Sequence, residues 1–114
     1  MGVKQFKGSI INKRFVERNI ELAIEQMIDI CRHLVSGLDL SEPETYADCL
    51  DVIAQAGVLS RENLDTFKAM VRFRNMLIHI YDGVDDTITF EIYKDRLNDF
   101  MIFIKEIRSY LKRE

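Results

Sequence analysis

Apolar residues in this chain recur at steps of three and four, and that spacing constrains the fold more than any other feature. Over residues 16–38 the series is Val16, Ile20, Ile24, Met27, Cys31, Leu34 and Leu38. An α-helix turns once in about 3.6 residues, so such steps return to one side of it. A polar stripe of Arg14, Arg18, Glu21, Glu25, Asp29 and Arg32 runs alongside. The helix expected over roughly 10–36 therefore has one face for a core and one for water. Gly37 is expected to end it.

Three more helices follow from the same periodicity. The second covers roughly 42–56. "SEPE" reads as its capping box, with Ser41 as N-cap, Pro43 in the first turn and Glu44 reaching back, and Gly57 closes it. The third starts after Ser60, a good N-cap, and runs to about Tyr81, with Gly83 as the stop. The fourth covers roughly 88–112 along Tyr93, Leu97, Phe100, Ile104, Ile107 and Leu111. Its start is open, because "DTITFEIY" is rich in β-branched residues and could be extended for a few positions. Short connections make neighbours pack antiparallel. The expected architecture is an all-α antiparallel helical bundle, a single domain over 1–114.

Composition narrows the class. The 114 residues are 47% hydrophobic and 31% charged, enough for a real core. The net charge of −3 argues against a protein that coats nucleic acid non-specifically, and leaves open a transient RNA substrate or a basic partner. Cys31 and Cys49 lie in no CxxC pair and read as buried thiols of a reducing compartment. No apolar run approaches the roughly 20 residues that span a bilayer. The first ten residues, "MGVKQFKGSI", lack the apolar stretch of a signal peptide, and Phe6 stands where a myristoylation signal needs Ser or Thr. The expected setting is cytoplasmic, with no membrane partner.

One stretch resists this description. "RFRNMLIHIYDG" places Arg74 inside an apolar segment and His79, one of two histidines, five residues on. At about 100° per residue, Arg74 falls near the middle of an apolar arc about 200° wide. Phe73, Leu77, Met70 and Ile80 flank it on one side, and Phe67, Val71, Ile78 and Leu64 on the other. His79 falls about 140° away, in a narrow polar arc with Lys68, Arg72 and Asn75. A guanidinium cannot shed its proton, so a buried Arg74 needs acceptors, for which Glu25, Asp29 and Asp48 are candidates. An internal ion pair is the commoner role for such an arginine, and a contact with the helix C-terminus for such a histidine. The two could converge if the helix unwound near His79, or if a twofold-related second copy supplied the other half. The width of the arc likewise suggests a dimer buried through this helix.

These residues resemble the HEPN (higher eukaryote and prokaryote nucleotide-binding) superfamily, specifically its HepT-like ribonuclease toxin branch. "RNMLIHIY" matches the R-x4-H-x-Y signature through Arg74, His79 and Tyr81, and Asn75 is the asparagine that commonly follows the arginine. "ERNIELAIEQMIDICRHLV", "PETYADCLDVIAQAGVLS" and "FMIFIKEIRSYL" are similar to the family's other segments, in order. The resemblance implies an all-α bundle that dimerises around its signature residues and cleaves RNA without metal or other cofactor. It implies a type VII-like toxin–antitoxin partner, an MntA-like minimal nucleotidyltransferase that attaches AMP to Tyr81.

Such chemistry suits these side chains. RNA carries its own nucleophile, the 2′-hydroxyl. His79 can move protons near neutrality, and Arg74 can hold phosphate oxygens with a planar fork. Asn75 could orient the histidine or a phosphate oxygen. Lys68 and Arg72, on the arc of His79, are candidates for RNA contact or for an ordinary solvated face. An AMP on Tyr81 would obstruct the cleft and repel the RNA backbone. The alternative is a non-catalytic HEPN module that binds a nucleotide or docks the nucleotidyltransferase; a plain helical interaction domain with a structural Arg74 is a third reading. A metalloenzyme is disfavoured, since His33 and His79 are far apart in sequence and form no H-x-x-H or H-E-x-x-H spacing.

Overall fold

The computed structural model describes residues 2–79 and 86–113, with backbone alone at Val3, Phe6, His79, Asp86, Thr87 and Asp95. Every element among them is helical: α1 (Val3–Lys7), α2 (Ile10–Gly37), α3 (Tyr46–Gln55), α4 (Arg61–His79), α5 (Asp86–Asp95) and α6 (Asn98–Arg113). The periodic series of α2 faces inward as expected. Val16, Ile20, Ile24, Met27 and Cys31 are buried, joined by Ile28 and Val35, while Leu34 and Leu38 are half-buried. At 28 residues α2 is about 42 Å long, and it sets the longest of the molecular dimensions, 47 × 26 × 20 Å.

Helix ends explain where α2 and α3 stop. After α2 the chain turns left-handed at Asp39 (φ 54), not at Gly37, which stays inside the last turn. Leu40 N–H then reaches the Val35 carbonyl at 2.9 Å and Asp39 N–H that of Ser36 at 3.2 Å. α3 ends in the same pattern around Gly57 (φ 86), with Val58 N–H on the Ile53 carbonyl and Gly57 N–H on that of Ala54, both at 3.0 Å. The start of α3 departs from expectation. Thr45, not Ser41, is the N-cap, its hydroxyl accepting from Asp48 N–H at 3.0 Å. The Asp39 turn occupies the chain to Leu40, and Pro43 biases Glu42 away from the helical region, so residues 41–45 cross between the helices.

The fourth expected helix is two. α5 is helical through "ITFEIY" despite its β-branched residues, and the chain breaks at Arg96 and Leu97 before α6. Asn98 and Asp99 favour a helix start over an interior, and Arg96 pairs with Asp99 at 3.2 Å across the break. Leu97 and Leu111, expected on the seam, are exposed, and Phe103 takes the deepest position of α6. Phe67 of α4 meets the Phe103 ring edge-on at 5.3 Å. One turn earlier in α4, Asn63 donates to Glu106 at 2.9 Å. Pairing 63 with 106 and 67 with 103 runs α4 and α6 antiparallel.

α4 packs against α2, α3 and α6. Phe67, Val71, Phe73 and Leu77 are buried from several sides. Much of the wide apolar arc is thus buried within one chain, while Ile78 on it stays exposed. No helix among the described residues is long and apolar enough to cross a membrane.

Candidate functional site

Arg74 lies where α4 presses on α2 and α3. Its Nη2 is 3.1 Å from Oε1 of Glu25, which selects one of the three acidic candidates named from sequence. Nη1 donates to Oδ1 of Asn75 at 3.2 Å. The guanidinium stands 5.7 Å from the centroid of the Tyr46 ring. Its Nε is buried with no hydrogen-bond partner among the described residues. The side chain is 17% exposed against 32% for Glu25, so the pair is half-dry and removal of either member strands a charge. An unmet buried donor costs about 1–3 kcal/mol, which Arg74 would recover on meeting an acceptor such as a phosphate oxygen.

Arg74 and Asn75 form part of the wall of an open cleft of about 1150 Å³. The end of α2 contributes Asp29, Arg32 and His33; the crossing segment contributes Glu42, Glu44 and Thr45; α3 contributes Tyr46 and Cys49. His33, set aside in the sequence for its distance from His79, and Tyr46, which carried no role there, both stand on this wall. The segment beginning "PETY", similar to one of the family's, was the one signal that could have singled out Tyr46; nothing along the sequence links His33 to Arg74.

Of the other candidates, His79 is described by its backbone alone. α4 stays helical through His79, so the backbone register keeps Arg74 and His79 about 140° apart. The helix does not unwind before His79, and Tyr81 lies outside the described residues. Lys68 pairs with Asp51 of α3 at 2.9 Å, which neutralises it locally, while Arg72 is exposed. Cys31 of α2 and Cys49 of α3 are neighbours in the core, each 1% exposed. Burial, then contact with Cys49, pushes the Cys31 thiol far above the usual range. Burial also raises Cys49, against the opposing pull of Cys31 and Arg32. Both stay protonated at neutral pH and are poor nucleophiles.

The family described as Ribonuclease HepT-like matches residues 1–107. The chain belongs to the HepT-like ribonuclease family. This HepT-like chain is similar to the mRNA nuclease HepT of Shewanella oneidensis, with 29% identity over 92% of this chain and 79% of that protein. It is 23% identical to the tRNA nuclease HepT of Aphanizomenon flos-aquae over 97% of this chain and 76% of the other. Among solved structures, the tri-AMPylated Shewanella oneidensis HEPN toxin in complex with MNT antitoxin superposes with a TM-score of 0.86 at 28% identity, covering 92% of this chain and 79% of that one. A toxin–antitoxin complex with AMP-PNP gives the same TM-score at 28% identity, over 92% of this chain and 80% of its counterpart. The helical fold is shared with both solved structures.

Proposed function

We propose that this chain is a cytoplasmic, metal-independent RNA endonuclease toxin that an MntA-like nucleotidyltransferase antitoxin silences by adenylylating Tyr81. The family match over residues 1–107, with Arg74 and Asn75 on one cleft wall, carries this reading. His79 takes the proton from a ribose 2′-hydroxyl, and the freed oxygen attacks the adjacent phosphorus. Arg74 steadies the charge that gathers on the phosphate, and a proton delivered to the departing 5′-oxygen completes the break. Each group is expected to contribute on the order of a hundredfold. Asn75, which accepts from Arg74, holds the guanidinium in place. Arg72, exposed on α4, and Lys68 are proposed to guide the RNA.

The uninterrupted register of α4 supports a homodimer as the working unit, because one chain's helix does not turn Arg74 and His79 the same way. Exposed Met76 and Ile78 on α4 offer apolar surface for it. The domain is proposed to comprise residues 1–114 as one unit. Incubation of total RNA with the purified protein, with and without chelator, tests the activity beside Arg74→Ala and His79→Ala. Cleavage that survives chelator and disappears in both variants is the expected result. Parental-rate cleavage by His79→Ala removes the histidine from the mechanism. Treatment with the nucleotidyltransferase and ATP, read by intact mass, is expected to add AMP to the parental protein and not to Tyr81→Phe.

One observation favours the alternative, a non-catalytic HEPN module that binds a nucleotide or docks the nucleotidyltransferase. Arg74 is already committed to Glu25. RNA that stays intact under all conditions, with the nucleotidyltransferase still bound, would select that reading.

A further inference from the structure

We infer that Tyr46 is a stacking platform for an unpaired RNA base bearing an exocyclic amino group, seated in the cleft beside the phosphate that Arg74 holds. This rests on the ribonuclease reading and adds where the substrate's base goes. Tyr46 is 41% exposed, so its ring is open to a ligand. It is the first residue of α3, and the Thr45 cap anchors the turn that carries it. A ring has two faces. The Arg74 guanidinium stands over one at 5.7 Å and orients the ring, while the exposed share borders the cleft. A base laid there would stack on the phenol and stand next to the cation that grips its own phosphate, a combination suited to single strands.

Charge selects the kind of occupant. The cleft wall carries four carboxylates, on Asp29, Asp39, Glu42 and Glu44, against the guanidiniums of Arg32 and Arg74. Away from Arg74 those carboxylates repel backbone phosphates, and a neutral base is not repelled. A carboxylate accepts a hydrogen bond from the amino group of adenine or cytosine, which uracil lacks. The volume of about 1150 Å³ admits a nucleotide with room to spare.

The test uses single-stranded RNA of about a dozen nucleotides, within the usual footprint of such proteins. It is fully 2′-O-methylated, so it has no nucleophile and binding is read apart from cleavage. Fluorescence anisotropy compares adenine, cytosine and uracil homopolymers on the parental protein, Tyr46→Phe and Tyr46→Leu, with circular dichroism melts of each. Adenine and cytosine strands are expected to bind more tightly than uracil. Tyr46→Phe should bind within about twofold of parental, and Tyr46→Leu about 5- to 100-fold more weakly, the usual worth of one stacked base. In the parental protein, 2-aminopurine within the strand should be quenched on binding. This arm stands even if Tyr46→Leu does not fold. Undiminished binding by Tyr46→Leu or absent quenching overturns the stacking role, and equal uracil binding overturns the amino-group preference. If the parental protein binds none of the strands, the RNA reading fails and this inference falls with it.

Discussion

The two ends of α2 face different surroundings. Its second half is enclosed by α3 and α4, where Ile24, Met27, Ile28, Cys31 and Val35 are buried and Glu25 reaches Arg74. Its first turns meet α1 and α5, and there Ile11 is 76% and Phe15 65% exposed. One continuous helix thus carries a packed segment that shapes the site and, in its first turns, apolar side chains that stay uncovered beside the buried Val16 and Ile20. Apolar periodicity marks a face able to be buried; burial itself depends on which elements the rest of the chain can bring there.

That contrast can be tested hardest with phenylalanines. Phe67→Ala removes a fully buried ring from the junction of α4 and α6 and should cost about 3–5 kcal/mol. Phe15→Ala, on the uncovered part of α2, should change stability by no more than about 0.5 kcal/mol. Urea unfolding followed by circular dichroism checks both, and equal losses would erase the distinction between packed and uncovered apolar side chains.

The thiols probe the packed end by pH. The folded chain holds the Cys31 proton well above the usual thiol range, so the native state keeps it where the unfolded state releases it. Stability from this source is whole below the ordinary thiol value of 9.0 and declines as pH rises beyond it. The decline is on the order of 1 kcal/mol per pH unit. A double variant with Cys31→Ala and Cys49→Ala should show a shallower alkaline loss of stability than the parental protein in urea titrations at pH 8, 9 and 10. Parallel slopes would show that the thiols are not held as described.

The helix ends sharpen the comparison at smaller scale. Gly57→Ala places a Cβ in open space but on a left-handed backbone, so its cost of about 1 kcal/mol is conformational alone. Asp39 already tolerates that conformation at the end of α2, and Asp39→Gly should raise stability by a few tenths of a kcal/mol. Thermal melts resolve both signs.

How much of this the sequence disclosed follows from the range of each interaction. The seam of α2, the stop at Gly57 and the anomaly at Arg74 are local, and periodicity and residue type reveal them. Three carboxylates qualified as the partner of Arg74, and only the packing of α4 on α2 picks Glu25. Thr45 prevails over Ser41 because the α2 terminus takes up residues 38–40, a condition absent from the capping pattern itself. The break before α6 was visible in Asn98 and Asp99, but a seam at regular steps through Leu97 outweighed it. Tyr46 and His33 join the site through a cleft whose walls come from α2, α3 and α4 together, and no spacing along the chain encodes that.

The length of α2 has a hydrodynamic consequence. A compact chain of this size has a radius of gyration of about 13 Å, whereas this one has 15.3 Å and is more than twice as long as it is thin, at 47 × 26 × 20 Å. A rod-like particle sweeps more solvent than a sphere of equal mass. Such a monomer elutes early from a sizing column and tumbles slowly, imitating a heavier species. Whether the working unit is one chain or two therefore has to be weighed, by light scattering or sedimentation equilibrium, and elution volume alone would count one chain as more.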